Sequence, residues 1–329
     1  MDNPNGPANL WVVPDRASEF LYWGMREQTK LPRMSIGSTE DLLGIIPVVL
    51  GFHPSESLVL LVVSDGELQV AARCDLTDVT IPGGAAELVG RLWFQYPDAD
   101  ALAVAYSSSS QLAWDALAEV SGVLPDAATV IRLHVTPDRY FTGPGSRGYA
   151  YRLRVPEGES GLPVLPDRTD IAAMLLPRYP DDELRRAASA VSGMDAQVAA
   201  EQAERHLSTG ELDAPAAAVV GQACTEPGFV EGIIGSICRS NAQDLVDLWG
   251  RVVSGVDPAL SGAPLGVLAI AAWVAGDGAL TNVCLERALA DGYWDAWLDL
   301  ADLVIMGAVH PRVWDDLRAA YLEDVGFGS

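Results

Sequence analysis

The chain has 329 residues, 49% of them apolar, which is enough for one large globular domain or two ordinary ones. Its formal charge is -24, which argues against nucleic-acid binding, because affinity for the phosphate backbone comes mainly from Lys and Arg. We expect the acidic side chains to form a solvated surface.

Residues 1–35 read as an N-terminal extension without the basic start and apolar run of a signal peptide. The pattern predicts a short strand at 10–13 and a short helix at 17–27 that carries three large apolar residues: Phe20, Leu21 and Trp23. Because such side chains need cover, we expect the extension to pack on its own domain or on a protein partner.

The stretch 41–63 predicts a buried helix followed by a buried strand. Two hydroxyl and two acidic residues lie around its start, which is typical of a helix start: Ser38, Thr39, Glu40 and Asp41. The helix is apolar nearly all round and contains Pro47. Gly51 and Pro54 end it, because glycine accepts a left-handed conformation and proline cannot continue a helix. The apolar run 57–64 and the turn 64–67 predict a strand that returns as an antiparallel hairpin.

Helices and strands alternate over the next part of the chain. The predicted elements are a helix at 82–94, a strand at 101–106, a helix at 111–120 and a strand at 129–135. This order predicts an α/β layer with helices over a mixed sheet. Residues 136–170 are rich in Pro, Gly and Arg, and they predict a loose hairpin of 138–141 against 149–155.

Beyond residue 180 the apolar periodicity is helical to the end of the chain. The stretch 181–207 predicts one long helix or two, and the short joints farther on predict antiparallel helical hairpins resembling tetratricopeptide repeats. The predicted fold class is therefore an α/β N-terminal half followed by an all-α C-terminal half of helical hairpins. The predicted domains are the extension 1–35, an α/β domain 36–180 and a helical domain 181–329.

Two stretches together resemble an uncharacterised actinobacterial family known only as a domain of unknown function. The first is Asp41-Leu42-Leu43, Pro47, Leu50-Gly51-Phe52-His53-Pro54 and Glu56-Ser57-Leu58-Val59. The second is Ala271-Ala272-Trp273, Gly276-Asp277-Gly278-Ala279-Leu280, Arg287-Ala288-Leu289-Ala290 and Tyr293. The family tends to carry cysteines before a Pro-Glu-Gly step, whereas this chain keeps the step at 156–158 without a cysteine near it. The resemblance implies the same order of an α/β half and a helical half, and it implies no activity.

The motif positions that we expect to act in structure or in binding are Gly51, Phe52, His53, Pro54, Glu56, Ser57, Trp273, Gly276 and Asp277. A histidine, an acid and a serine close together at 53–57 suggest a catalytic triad. Sequence adjacency is weak support for one, because a triad needs convergence in space and an oxyanion hole. We favour a capping and turn role for these residues and predict no catalytic residue.

A second candidate is a ligand crevice at the strand ends, formed by Asp75, Ser107 and Ser108. A serine run that follows a strand and opens a helix can bind an anion, although a plain helix cap is the commoner use. The cysteines are scattered without a histidine nearby, which is typical of free thiols in a reducing cytoplasm: Cys74, Cys224, Cys238 and Cys284. We therefore predict no metal and no cofactor.

The expected function is a non-enzymatic protein-interaction or regulatory module in the cytoplasm, with a protein partner and no nucleic-acid or membrane partner. The longest uncharged stretch, 261–276, is shorter than the roughly 20 residues of a membrane span. The alternative is a small-molecule or nucleotide-binding enzyme that uses the crevice, in which Asp75, Ser107 and His53 would converge on one pocket.

Overall fold

The computed structural model describes residues 38–126, 128, 130–151, 164–226 and 228–324, with side chains up to 319. The predicted strand 10–13, the helix 17–27 and the Pro-Glu-Gly step 156–158 lie outside the described residues. The described residues up to Pro311 form one compact unit, and those from Arg312 onward belong to a second unit.

The first helix, α1 (Thr39–Leu50), begins and ends as its sequence predicts. The Ser38 hydroxyl accepts a hydrogen bond from the Asp41 amide at 3.1 Å, and Gly51 ends the helix with a φ of 78°. Pro47 lies inside the helix and is buried. Because most of its side chains are buried as well, α1 is part of the core.

The described residues form one sheet of six strands in the order β2-β1-β3-β4-β5-β6. Their bounds are β1 (Ser57–Ser64), β2 (Glu67–Asp75), β3 (Asp100–Tyr106), β4 (Val130–Val135), β5 (Arg139–Phe141) and β6 (Tyr149–Ala150). Only β3 and β4 pair in parallel, while the other neighbours are antiparallel. The predicted mixed sheet is confirmed, and so is the hairpin of β5 and β6 within the described residues.

Three helices cover one face of the sheet: α2 (Leu76–Thr80), α3 (Gly84–Gln95) and α4 (Ser110–Val123). Their apolar side chains share a buried core with alternate residues of β1 and β3, among them Leu58, Leu60, Ala103 and Ala105. Since neighbouring side chains of a strand point to opposite faces, the buried Val59 lies on the other face. Both faces of the central strands are therefore covered, as the continuous apolar run of β1 predicts.

The rest of the described chain is helical. The helices are α5 (Arg168–Met174), α6 (Asp181–Val191), α7 (Ala196–Thr209), α8 (Ala214–Ala223), α9 (Phe229–Ser236), α10 (Ala242–Gly255), α11 (Gly262–Ala275), α12 (Gly278–Ala290), α13 (Ala296–Met306) and α14 (Trp314–Asp324). The stretch 181–207 forms two helices, because Asp195 caps a new one by accepting from the amides of Gln197 and Val198. The predicted fold class is thus confirmed.

The helix α11 forms the centre of this helical part and is buried along nearly its whole length. It packs against α9, α10, α12 and α13. Gly262 allows one close contact, because a β-carbon there would come within 2.2 Å of the Tyr293 ring. The start of α11 therefore packs closely on the loop between α12 and α13.

The predicted boundary near residue 180 stays a prediction. Several contacts join the chain on either side of it within the unit up to Pro311. The Arg178 amide donates to the Ser254 carbonyl at 2.8 Å, and Arg168 forms an ion pair with Glu286 at 2.5 Å. In the second unit, Arg318 lies 3.7 Å from Asp315 within α14.

Candidate functional site

The register of the sheet brings several predicted site residues to one edge. Ser57, the first residue of β1, lies between Asp75 at the end of β2 and Tyr106 at the end of β3. Because β3 and β4 are parallel, their carboxyl ends lie at this same edge, and Tyr106 pairs with Val135. Open α/β sheets bind ligands at the carboxyl ends of their strands, so this edge is the position where a site is expected.

The carboxylate of Glu56 sits at the amino end of α4 and accepts three hydrogen bonds. The donors are the Ser107 hydroxyl at 2.7 Å, the Ser108 amide at 2.8 Å and the Ser108 hydroxyl at 3.0 Å. The bond from Ser107 contributes most to lowering the pKa of Glu56 below its ordinary value, followed by the Ser108 amide. An anion does occupy the predicted position at the helix start, and the chain itself supplies it.

Ser109 is the N-cap of α4, and its hydroxyl accepts from the Leu112 amide at 3.4 Å. The plain capping role that we weighed for this serine run is therefore present. The serines divide two tasks: Ser109 caps the helix, while Ser107 and Ser108 bind Glu56.

His134 is buried behind this cluster at 2% exposure and holds the backbone of Ser107. Its Nε2 donates to the Ser107 carbonyl oxygen at 2.9 Å. The ring stacks on Phe141 at a centroid distance of 5.2 Å and meets Trp114 edge-on at 6.2 Å. The Ser107 hydroxyl donates to a carboxylate while the imidazole binds a carbonyl, so the three groups do not form the serine–histidine pair of a nucleophilic site.

The remaining residues of the predicted crevice and triad have other contacts. Asp75 forms an ion pair with Arg73 at 2.6 Å, and its side chain accepts no capping bond from α2. His53 is exposed, and its backbone amide donates to the Leu165 carbonyl at 3.0 Å. The structure thus joins Ser107 and Ser108 to Glu56, a contact that the sequence did not predict. The binding of a ligand by these residues stays a prediction.

The Gly-Phe-His-Pro segment holds a neighbouring stretch of chain. Phe52 is buried and forms a parallel bridge with Leu165, whose amide donates to the Gly51 carbonyl at 2.8 Å. Pro54 is buried beside it. These contacts give Gly51, Phe52 and Pro54 a structural role.

The second motif joins α11 to α12. Gly276 ends α11 with a φ of 88°, and the Asp277 carboxylate caps α12 by accepting from the Leu280 amide at 2.8 Å. Burial raises the pKa of Asp277, and this outweighs the lowering by its amide donors. Trp273 donates its indole N–H to the Val309 carbonyl at 3.1 Å. Each of these three residues therefore has a structural contact in the helical part.

Among the described residues, three buried polar atoms near the carboxyl ends of β3 and β4 have no hydrogen-bond partner: Ser57 Oγ, Tyr106 Oη and His134 Nδ1. Ser57 and Tyr106 pair with each other on one face of the sheet, whereas His134 lies on the opposite face against Trp114 of α4. Burial raises the pKa of Tyr106 far above its ordinary value, so its hydroxyl stays neutral. A buried polar group without a partner is costly, so the pair of Ser57 and Tyr106 marks a position where a water or a ligand has most to offer.

A shallow apolar groove of about 470 Å³ lies between α3 and the end of α13. It is lined by Ala86, Glu87, Gly90, Arg91, Phe94, Gln95, Met306 and Gly307. Phe94 is 83% exposed and Met306 is 40% exposed. The sequence carries one signal for this groove. The apolar side of α3 ends at Trp93, which leaves Phe94 as an aromatic residue off the buried face.

Among the described residues, no group of three or more His, Cys, Asp or Glu side chains could hold a metal ion. The described helices also include none that is long and apolar enough to cross a membrane. Cys74, Cys224 and Cys284 are free thiols, and burial raises the pKa of the Cys74 thiol to about 12. That thiol is therefore a poor nucleophile at neutral pH.

The comparisons with known proteins agree with the predicted resemblance. Neither the curated proteins nor the solved structures contain a match to this chain. A family model matches residues 40–292, which include the first motif, the second motif except Tyr293, and most of the described fold. The chain belongs to the family described as domain of unknown function DUF4192.

Proposed function

We propose that this protein is a non-enzymatic protein-interaction module that docks a partner helix in the groove between α3 and α13. The observation that carries the proposal is Phe94, an aromatic side chain exposed to 83% beside the exposed Met306. Exposed apolar side chains that lie next to each other can form the contact surface for a partner.

The walls of the groove suit a helix. Leu303 is 53% exposed and lies one helical turn before Met306, so the apolar surface continues along α13. Apart from its own helix backbone and chain neighbours, Gly90 of α3 has no described atom within 4 Å of the position that a β-carbon would take, which leaves room for a side chain of the partner helix. Phenylalanine and methionine adapt to varied apolar partners, as in other grooves that bind amphipathic helices.

The charge around the groove indicates the flanks of the partner. Arg91 is held by Glu87 and by the Met306 sulfur, which it approaches at 3.2 Å. Asp302 lies one turn before Met306 on α13 and is exposed. Within a chain of net charge -24, these contacts favour an amphipathic helix whose apolar face is bordered by Lys or Arg.

The test compares affinity capture from cell extract by the wild type, Phe94→Asp and Met306→Asp. The control is Leu289→Asp, which changes an apolar side chain of 71% exposure outside the groove. We expect at least one protein that the wild type and the control retain and that both groove variants lose. Its binding segment, made as a purified peptide, must then bind the wild type directly. A set of captured proteins that is the same for all four baits would contradict the proposal.

A second candidate function, small-molecule binding at the carboxyl end of β3, is favoured by the buried hydroxyls of Ser57 and Tyr106, which lack a partner among the described residues and lie on one face of the sheet. Because Glu56 already fills the anion position of α4, the candidate ligand is neutral or cationic. A thermal-shift screen of metabolites tests it, since a ligand that binds the folded state raises its stability. Hits that a Tyr106→Phe variant no longer shows would support this function, and phosphates or nucleotides as the main hits would oppose it.

A further inference from the structure

The strand β2 lies at one end of the sheet and presents an open edge. It is the first strand in the order, and among the described residues it pairs with β1 alone. At nine residues it is the longest described strand. Its other edge therefore carries backbone N–H and C=O groups that no strand of the described residues pairs with.

The middle of β2 lacks the side chains that protect an edge strand. Natural sheets block such edges with proline, lysine or inward-pointing charges, and the run Val70-Ala71-Ala72 contains none of these. The turn end is guarded by a bulge, because the register shifts between Val62 and Val63 and leaves Gln69 opposite no residue of β1. The far end carries one partly buried charge, Arg73. The regular part of the edge runs from Val70 to Asp75.

Acidic side chains lie at both ends of this edge. Asp65 and Glu67 are exposed at the turn end, and Asp75 and Asp78 are exposed at the other. The one cation of the strand, Arg73, is bound to Asp75 at 2.6 Å. The middle of the edge is thus uncharged, and exposed acidic side chains lie at both of its ends.

We infer that β2 accepts an added strand from a partner protein, an extended segment with β-branched residues in the middle and Lys or Arg at both ends. The backbone ladder supplies the affinity of such a complex, and the flanking charges supply its direction and selectivity. This surface is separate from the groove at Phe94, so the inference does not depend on the proposed function.

A second copy of the chain is a poorer occupant. Two copies of β2 paired antiparallel about Ala71 would place Glu67 opposite Asp75 at both ends. Like charges directly opposite each other in a sheet are destabilising, and the net charge of -24 adds long-range repulsion.

The test measures fluorescence anisotropy of three labelled peptides with the full chain at low salt. The first is Lys-Lys-Val-Thr-Val-Thr-Val-Lys-Lys, the second carries N-methyl groups on alternate backbone amides, and the third has Glu in place of Lys. We expect the first to bind, N-methylation to weaken binding by at least tenfold, and the Glu peptide not to bind. Equal binding of the first and second peptides would show that charge attraction alone holds them, and it would overturn the inference. A first peptide that does not bind would overturn it as well.

Two proline variants locate the binding edge. Successive N–H groups of a strand point to opposite edges. Since proline has no N–H, one of the variants Ala71→Pro and Ala72→Pro removes a donor from the outer edge, whereas the other removes a donor that bonds to β1. We expect one variant to keep a melting temperature near that of the wild type and to lose the peptide. If that variant still binds, or if sedimentation shows a wild-type dimer that it abolishes, the inference is wrong. Phe94→Asp should bind the peptide as the wild type does, which separates this result from the groove experiment.

Discussion

Glu56 shows how a single side chain can close off a position that would otherwise suit a ligand. Its backbone has a φ of 41°, a left-handed conformation that is uncommon for a residue other than glycine. That conformation lies directly before β1, and the carboxylate reaches the serines that precede α4. The strain of this residue is offset by the hydrogen bonds that its carboxylate accepts from one backbone amide before α4 and from two serine hydroxyls.

Replacing Glu56 with Ala should therefore destabilise the fold. The change removes three hydrogen bonds to a charged acceptor, and because the residue is partly solvated we expect a loss of about 2 kcal/mol in the free energy of unfolding. Urea denaturation at neutral pH measures it. The control is Glu67→Ala, an exposed acid that should change stability by less than about 0.5 kcal/mol. Equal effects of both variants would show that the cluster contributes nothing.

The contribution of Glu56 should also depend on pH. Its pKa in the folded state is lowered from the ordinary 4.5, so the stabilisation is complete above that value and is lost as pH falls through the folded pKa. The difference in unfolding free energy between wild type and Glu56→Ala should stay constant from pH 7 to 5 and shrink below about pH 4.5. Measuring the difference cancels the other acids, including Asp167, whose pKa is also lowered. A difference that grows toward acid would contradict the assignment.

At the scale of elements, the turn between α11 and α12 depends on glycine. Gly276 has a φ of 88°, where a β-carbon is strained even though the space around it is open. We expect Gly276→Ala to lower stability by about 1 to 2 kcal/mol. Gly232→Ala should instead raise it by about 0.5 to 1 kcal/mol, since Gly232 lies exposed inside α9 with nothing near a new β-carbon. Thermal denaturation of both variants tests the pair, and a stable Gly276→Ala protein would contradict this role.

Local patterns predicted most of the elements because capping residues and apolar periodicity act over a few positions. The α1–β1–β2 unit and the helices after residue 195 follow from them. Two helices were missed, α2 and α5, because five or seven residues are too few to show a period. The capping box of Asp167 and Asp170 was the signal for α5. Contacts between distant residues could not be predicted in this way, and the bond from Ser107 to Glu56 spans 51 positions.

At the scale of the whole molecule, the charge of -24 should act on stability. Repulsion between acids of one sign disfavours the compact state, and salt screens it over about 10 Å at 0.1 M. We expect the melting temperature to rise by several degrees between low salt and about 0.5 M sodium chloride. A melting temperature that falls over this range would show that favourable ion pairs outweigh the repulsion.

The docking of a partner helix beside Phe94 is the central claim, and a titration of the captured segment tests it most directly. Calorimetry should give the same affinity for the wild type and for Leu289→Asp, and an affinity at least tenfold weaker for Phe94→Asp at an unchanged melting temperature. The tenfold loss corresponds to about 1.4 kcal/mol of binding free energy, a modest share for a central aromatic contact. If Phe94→Asp binds the segment as tightly as the wild type does, the groove is not the docking site and the account is wrong.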